Sequence, residues 1–151
     1  MSFPSSSAMA AALAEARAAG ERGEVPVGAV IVDPGGRIVA ARGNQTRETF
    51  DPTAHAEIVA IRIACAAAGS ERLRGHAIYV TLEPCAMCAA AIGFARIERL
   101  YYGAPDPKGG GVDHGARVFA QPTCHHAPEV FGGIGEGAAA ALLTGFFAAR
   151  R

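Results

Sequence analysis

The stretch Ala77-Ile78-Tyr79-Val80-Thr81-Leu82-Glu83-Pro84-Cys85-Ala86-Met87-Cys88 joins an apolar run to a proline and two cysteines three residues apart. Its Ile, Tyr, Val and Leu content predicts a buried strand over Ala77 to Leu82. Pro84 has no amide hydrogen to lose and a φ already fixed near the helical value, so it predicts a helix start there. That helix is expected to end near Ala95, and Ile97 to Tyr102 supplies a further strand. The sequence therefore contains a strand, a helix and a strand in close succession, a βαβ unit.

Upstream of it, Val25 to Val32 is β-branched, and Asp33-Pro34-Gly35-Gly36 is a turn signal before Arg37 to Ala41, which predicts a hairpin. Asp51-Pro52-Thr53 offers a capping residue and a proline, so a helix is expected from about Thr53 to Ala68, stopping at Gly69. Ser7 to Ala19 reads as a first helix, with Ser5 to Ser7 as N-caps and Gly20 as its stop. Gly103 to Gly137 is dense in Gly, Pro and His and is expected to be mostly loop, with room for a short helix or strand. Ala138 to Arg151 closes the chain as a helix. An antiparallel hairpin plus βαβ units implies an α/β fold with helices on both sides of a mixed sheet.

The 151 residues fit one domain, 1–151, and no internal repeat or linker divides them. With 14 Lys and Arg against 14 Asp and Glu the formal net charge is zero, so any anionic partner must meet a local patch. Met1 to Gly20 lacks a basic leading segment and is interrupted by Glu15 and Arg17, which argues against a secretory signal. No apolar run approaches the ~20 residues of a membrane span. A cytoplasmic protein with no membrane partner is expected, and four cysteines, two of them in metal-type spacing, suit a reducing compartment.

Cys85 and Cys88, at i and i+3 in the first turn of a helix, share one face, and the positive end of the helix dipole favours their thiolates. His55 is expected in the first turn of the Thr53 helix, so the site joins two helix N-termini beyond the sheet. One nitrogen and two sulfurs select zinc over magnesium or calcium. Three protein ligands leave a fourth position for water, the arrangement of a catalytic zinc. A structural zinc needs a fourth side chain. Cys65 lies ~15 Å along the helix axis from His55, whereas Cys124, His125 or His126 return late enough in the chain to reach the site. Cys-x-x-Cys after a strand is also the pattern of a thiol oxidoreductase, which leaves His55-Ala56-Glu57 unexplained. Two thiolates weaken the Lewis acidity of zinc, so a nearby base is valuable, and Glu57 is expected to fill that role. A histidine-and-two-cysteine zinc with a spare glutamate resembles the motif of nucleobase deaminases. The resemblance implies that Glu57 takes a proton from water, delivers it to the ring nitrogen beside the attacked carbon, and later protonates the departing ammonia.

These motifs, with Glu24-Val25-Pro26-Val27-Gly28-Ala29, Asn44, Asp51-Pro52-Thr53-Ala54, Tyr102-Gly103-Ala104, Asp106, Lys108-Gly109, Leu142-Leu143 and Phe146-Phe147, resemble the cytidine and deoxycytidylate deaminase superfamily, and more closely its bacterial tRNA-specific adenosine deaminases. The resemblance implies a three-layer α/β/α fold around a mixed five-stranded sheet, and a homodimer with one zinc ion per subunit. It implies hydrolytic deamination of the wobble adenosine of a tRNA anticodon stem-loop to inosine, by attack at C6 of the flipped adenine. By the same resemblance Asn44 hydrogen-bonds the target nucleoside, and Val27 with the Ala54 backbone lines the base pocket. Asp106, Lys108 and the Arg150-Arg151 end are expected to meet sugar and phosphate, and Phe147 belongs to the same substrate-binding set. An anticodon loop already presents unstacked bases, which lowers the cost of extruding one. Two other functions use the same residues: a deaminase of a free base or nucleoside such as guanine or cytosine, and a non-catalytic zinc-stabilised RNA-binding module.

Overall fold

A computed structural model describes residues 6–150. It contains α1 (Ser6–Glu21), β1 (Gly28–Val32), β2 (Ile38–Gly43), α2 (Ala56–Ala68), β3 (Ala77–Leu82), α3 (Ala86–Phe94), β4 (Arg99–Ala104), a 3-10 turn at Val118–Ala120, β5 (Glu129–Phe131) and α4 (Glu136–Ala148). The five strands form one sheet in the order β2-β1-β3-β4-β5. β1 is antiparallel to both β2 and β3, whereas β3, β4 and β5 run parallel. The mixed five-stranded sheet is therefore as expected, and its fifth strand is the three-residue edge strand inside the Gly-rich segment.

The alternation of β3 sorts the two faces. Ile78 and Val80 join Ala29, Ile31 and Leu100 in a core closed by Ala56, Ala60 and Ala64 of α2 and Ala89 and Ile92 of α3. Ala77 and Tyr79 face the other way, with Val30 and Tyr101, against Ala8, Met9 and Ala12 of α1. α4 joins α1 on that side, its Ala139 beside Gly103 of β4. Small residues let the layers approach closely. A Cβ on Gly28 would stand 2.0 Å from the backbone oxygen of Ala12, so β1 can lie against α1 only with glycine there. No helix among the described residues is long and apolar enough to cross a membrane.

Several boundaries differ from the sequence expectations. The strand expected from Val25 begins at Gly28, because Val25 and Val27 bond within the preceding turn and to Asn44. α1 runs through Gly20 to Glu21, and the chain turns at Gly23, where φ is +89°. Of the expected caps, Ser5 lies outside the described residues. The helix expected from Thr53 begins three residues later, at Ala56. The side chain of Asp51 does not cap it; it accepts from the N–H and hydroxyl of Thr53 in a separate turn. Likewise Pro84 stays outside α3, and Cys85 is its N-cap. The last helix begins at Glu136 and ends at Ala148, short of the expected Arg151.

Candidate active site

His55 and Cys85 occupy equivalent places: each is the N-cap of its helix, in extended backbone geometry, and neither side chain makes a capping hydrogen bond. Both side chains are thereby released from the usual work of an N-cap. The backbone donors still need partners, and for α2 one comes from far away in sequence: the N–H of Ala56 donates to Oδ1 of Asn44 at 2.8 Å. Cys88, one turn into α3, is fully buried.

Nδ1 of His55 lies 3.6 Å from Sγ of Cys85 and 3.5 Å from Sγ of Cys88. A tetrahedral zinc with Zn–S about 2.3 Å and Zn–N about 2.0–2.1 Å requires an N···S separation of about 3.6 Å. The three ligand atoms lie within 4.8 Å of one another, and the donor set is borderline soft. The residues therefore fit zinc, and Nδ1 is the ligating nitrogen. Among the protein groups alone, donation from Cys88 and His55 draws the Cys85 thiol down to about 4. The same sharing pushes the Cys88 thiol up and raises His55. A cluster that already stabilises one thiolate beside an imidazole is prepared for a cation.

Glu57 is 3% exposed and is not one of the three ligand groups. Burial pushes its carboxyl up to about 7, opposed by its own backbone N–H. It lines a cleft of about 330 Å3 together with Val27, Asn44, His55, Cys85 and Asp106. The structure thus brings the ligands, the acid and three of the expected substrate contacts, Val27, Asn44 and Asp106, around one cavity. Asn44 is already engaged: besides accepting from Ala56, its amide donates to the Val25 carbonyl at 3.2 Å. Ala54 is buried, and its carbonyl accepts from the N–H of Gln45. Lys108 is exposed on the loop after Asp106.

Phe147 and Arg150 do not line this cleft. Phe147 is half-exposed on α4, while Arg150 stacks its guanidinium 3.6 Å above the Phe146 ring and borders a separate hollow with Arg17 and Pro26. The late cysteine and histidines are also elsewhere. Sγ of Cys124 bonds the His126 carbonyl, Nε2 of His126 bonds the Ile97 carbonyl, and with His125 they line an apolar groove beside Phe94.

Two buried acids that sequence reasoning left without a role organise the cleft rim. Glu83 accepts from the N–H groups of Asp106, Val112, Asp113 and His114 and from the His114 ring. Burial alone would raise its pKa; the bonds from Asp106, His114 and their neighbours hold it below the ordinary value. A Cβ on Gly110 would lie 2.4 Å from its Oε2, so the loop closes over Glu83 only because that position is glycine. Glu24 does the same for the opposite loop, accepting from the N–H groups of Arg47 and Glu48 and from the Thr46 hydroxyl. Here too burial is outweighed, by the Glu48 and Arg47 donors. For Glu83 the available signal was an acid closing an apolar run directly before Pro84, whereas Glu24, after Glu21-Arg22-Gly23, offered no such signal.

The cytidine and deoxycytidylate deaminase zinc-binding region matches residues 4–104 of this chain. The tRNA-specific adenosine deaminase of Agrobacterium fabrum is 63% identical over 143 residues, which cover 95% of this chain and 93% of that protein. The enzyme of the same name from Rickettsia bellii is 48% identical over 140 residues, 92% of this chain and 97% of its own length. A solved structure from a study of A-to-I editing by tRNA deaminases at the wobble position of transfer RNA superposes with a TM-score of 0.90 at 62% identity, covering 92% of this chain and all of that one. Ligand geometry, sheet order and likeness across nearly the full length agree: the chain belongs to the cytidine and deoxycytidylate deaminase family, on the branch of the tRNA-specific adenosine deaminases.

Proposed function

We propose that this chain is a single-domain deaminase, 1–151, that hydrolyses the wobble adenosine of a tRNA anticodon stem-loop to inosine and ammonia. The observation that carries it is the convergence of His55, Cys85 and Cys88 at zinc spacing on a cleft with Glu57 buried in its wall. Zinc held there supplies a Lewis acid for the hydrolytic water. Glu57 accepts one proton of that water as the C6–O bond forms and places it on the ring nitrogen beside C6. It then takes the proton of the new C6 hydroxyl and passes it to the amino group, so that the C6–N bond breaks and ammonia leaves as the C6 carbonyl forms. Its burial suits both roles, because a carboxyl raised toward neutrality exchanges a proton readily near pH 7. Val27 supplies apolar wall for the adenine. Asn44, fixed from both sides by Val25 and Ala56, still has one amide hydrogen and acceptor capacity for the nucleoside. Asp106, Lys108, Phe147, Arg150 and the Ala54 backbone complete the substrate set as the flanking RNA is engaged.

The protein works as a cytoplasmic homodimer with one zinc per subunit. The apolar groove of about 240 Å3 between α3 and the 118–126 segment, with Phe94 largely exposed on its lip, supports a self-association surface. Incubation with an adenosine-containing anticodon stem-loop, with free adenine, guanine and cytosine in parallel, tests the assignment. Inosine in the stem-loop and no free-base turnover is the expected result. Turnover of a free base alone, or zinc-bound protein that binds RNA without forming inosine, would replace it.

A further inference from the structure

The loop from Asn44 to His55 starts and ends in the cleft wall, since both residues line the cavity. Its base is closed by the Gln45 N–H on the Ala54 carbonyl, at 3.0 Å, and its middle by the Asp51 N–H on the Thr46 carbonyl, also 3.0 Å. The buried carboxylate of Glu24 fixes one side through Thr46, Arg47 and Glu48. At the tip of this fastened loop stands Phe50, 95% exposed, the most exposed of the large apolar side chains among the described residues.

Phe50 also has a φ of +53°, in the left-handed region that a residue with a Cβ enters at a cost. The surrounding bonds hold that backbone in place, so the loop commits a strained position to displaying a phenyl ring to solvent. The ring covers no core. Beside it, Arg22 pairs with Glu48, Arg62 pairs with Asp51, and Arg47 bonds the Gly23 carbonyl, so three guanidinium groups flank the loop. Arg22 and Arg62 are each paired with a loop carboxylate, so the surround is only modestly cationic. A fixed aromatic face in such a setting is suited to stacking an unstacked base, with Arg47 beside it for a phosphate.

We propose that Phe50 is a stacking platform for the unpaired base next to the adenosine that enters the cleft. The proposal rests on the RNA reading above. It makes Phe50 a determinant of RNA affinity, and of how far beyond the target base the enzyme engages the loop, with no part in proton transfer.

The test compares the zinc-loaded wild type with Phe50→Ala and Phe50→Trp on an anticodon stem-loop, and on the same stem-loop carrying an abasic site at either neighbour of the target adenosine. Alanine keeps a Cβ and hence the same backbone demand, and removal of an exposed ring opens no cavity. Phe50→Ala is expected to raise KM about tenfold with kcat, zinc content and oligomeric state unchanged, and Phe50→Trp to restore wild-type KM. One abasic stem-loop should raise the wild-type KM by a similar factor and erase the difference between wild type and Phe50→Ala. Equal KM values for wild type and Phe50→Ala on the intact stem-loop overturn the proposal. So does an unchanged ratio on both abasic substrates, or a variant whose weaker activity accompanies loss of the dimer, which would make Phe50 a subunit contact. If wild type forms no inosine in any stem-loop, the RNA reading itself fails and Phe50 loses its partner with it.

Discussion

On the floor of the cleft Glu57 is buried, and its carboxyl is pushed up to about 7; on the rim Glu24 and Glu83 are as little exposed to solvent, yet both are held below the ordinary value. Desolvation acts on all three. Two things separate them: Glu57 lies deepest, with only its own backbone N–H and the Cys88 thiol as donors to oppose the desolvation, whereas four backbone N–H groups and an imidazole point at Glu83 and two N–H groups and a hydroxyl at Glu24. The rim acids are thus held toward the anionic form that fastens loops, whereas the carboxyl of Glu57 is pushed toward neutrality. One molecule uses buried glutamate in two opposite ways, and the balance of desolvation against hydrogen bonding decides which.

The contrast can be broken most severely at the floor. His55→Ala removes the only nitrogen ligand, and the expected outcome is protein without stoichiometric zinc and without measurable inosine formation, checked by metal analysis beside the stem-loop assay. Glu57→Gln should retain one zinc per subunit and lose about 10²- to 10⁴-fold in kcat. Substantial activity in that variant would take the proton-transfer role away from Glu57.

At the rim the effects should fall on stability and KM. Glu83→Gln replaces one acceptor oxygen by an NH2 group that faces N–H donors, leaving at least two of those donors without an acceptor. It is expected to cost about 2–3 kcal/mol in denaturant unfolding and to raise KM, as the loop bearing Asp106 and Lys108 loosens, with zinc retained. A variant with unchanged stability would show that the loop is held by other means. Glu24→Gln should cost less, about 1–2 kcal/mol, since it loses fewer donors. Its pH dependence follows from sign: a carboxyl held below its unfolded value contributes fully above that value, and the contribution disappears as pH falls through the lowered folded one. The stability gap between wild type and Glu24→Gln should therefore be constant near neutrality and close below about pH 4. A gap that persists in acid would place its origin in packing.

The zinc ligands were legible because metal chemistry fixes both residue type and spacing: a thiol pair at i and i+3 and a His-x-Glu have few other uses together. The parallel β3-α3-β4 unit was legible for a similar reason, since long apolar runs and Pro84 report local backbone preferences. The helix start at Thr53 was misjudged because the cap that sets it, Oδ1 of Asn44 on the Ala56 N–H, comes from the far side of a loop. The sequence leaves room for a short helix or strand between Gly103 and Gly137, and Glu129–Phe131 is such a strand; its position could not be assigned because three residues carry almost no periodicity and are held by pairing with β4.

Sequence alone therefore determined the ligand set, the acid beside it and the class of sheet, all consequences of short-range spacing and composition. Only the tertiary structure decided which glutamates are fastened by donors and which carboxyl is pushed up by burial, and that Phe50 stands at the tip of a loop rooted in the cleft. Those properties depend on which segments, distant in sequence, converge to bury a group or to bond it. A chain read one residue at a time does not show that convergence.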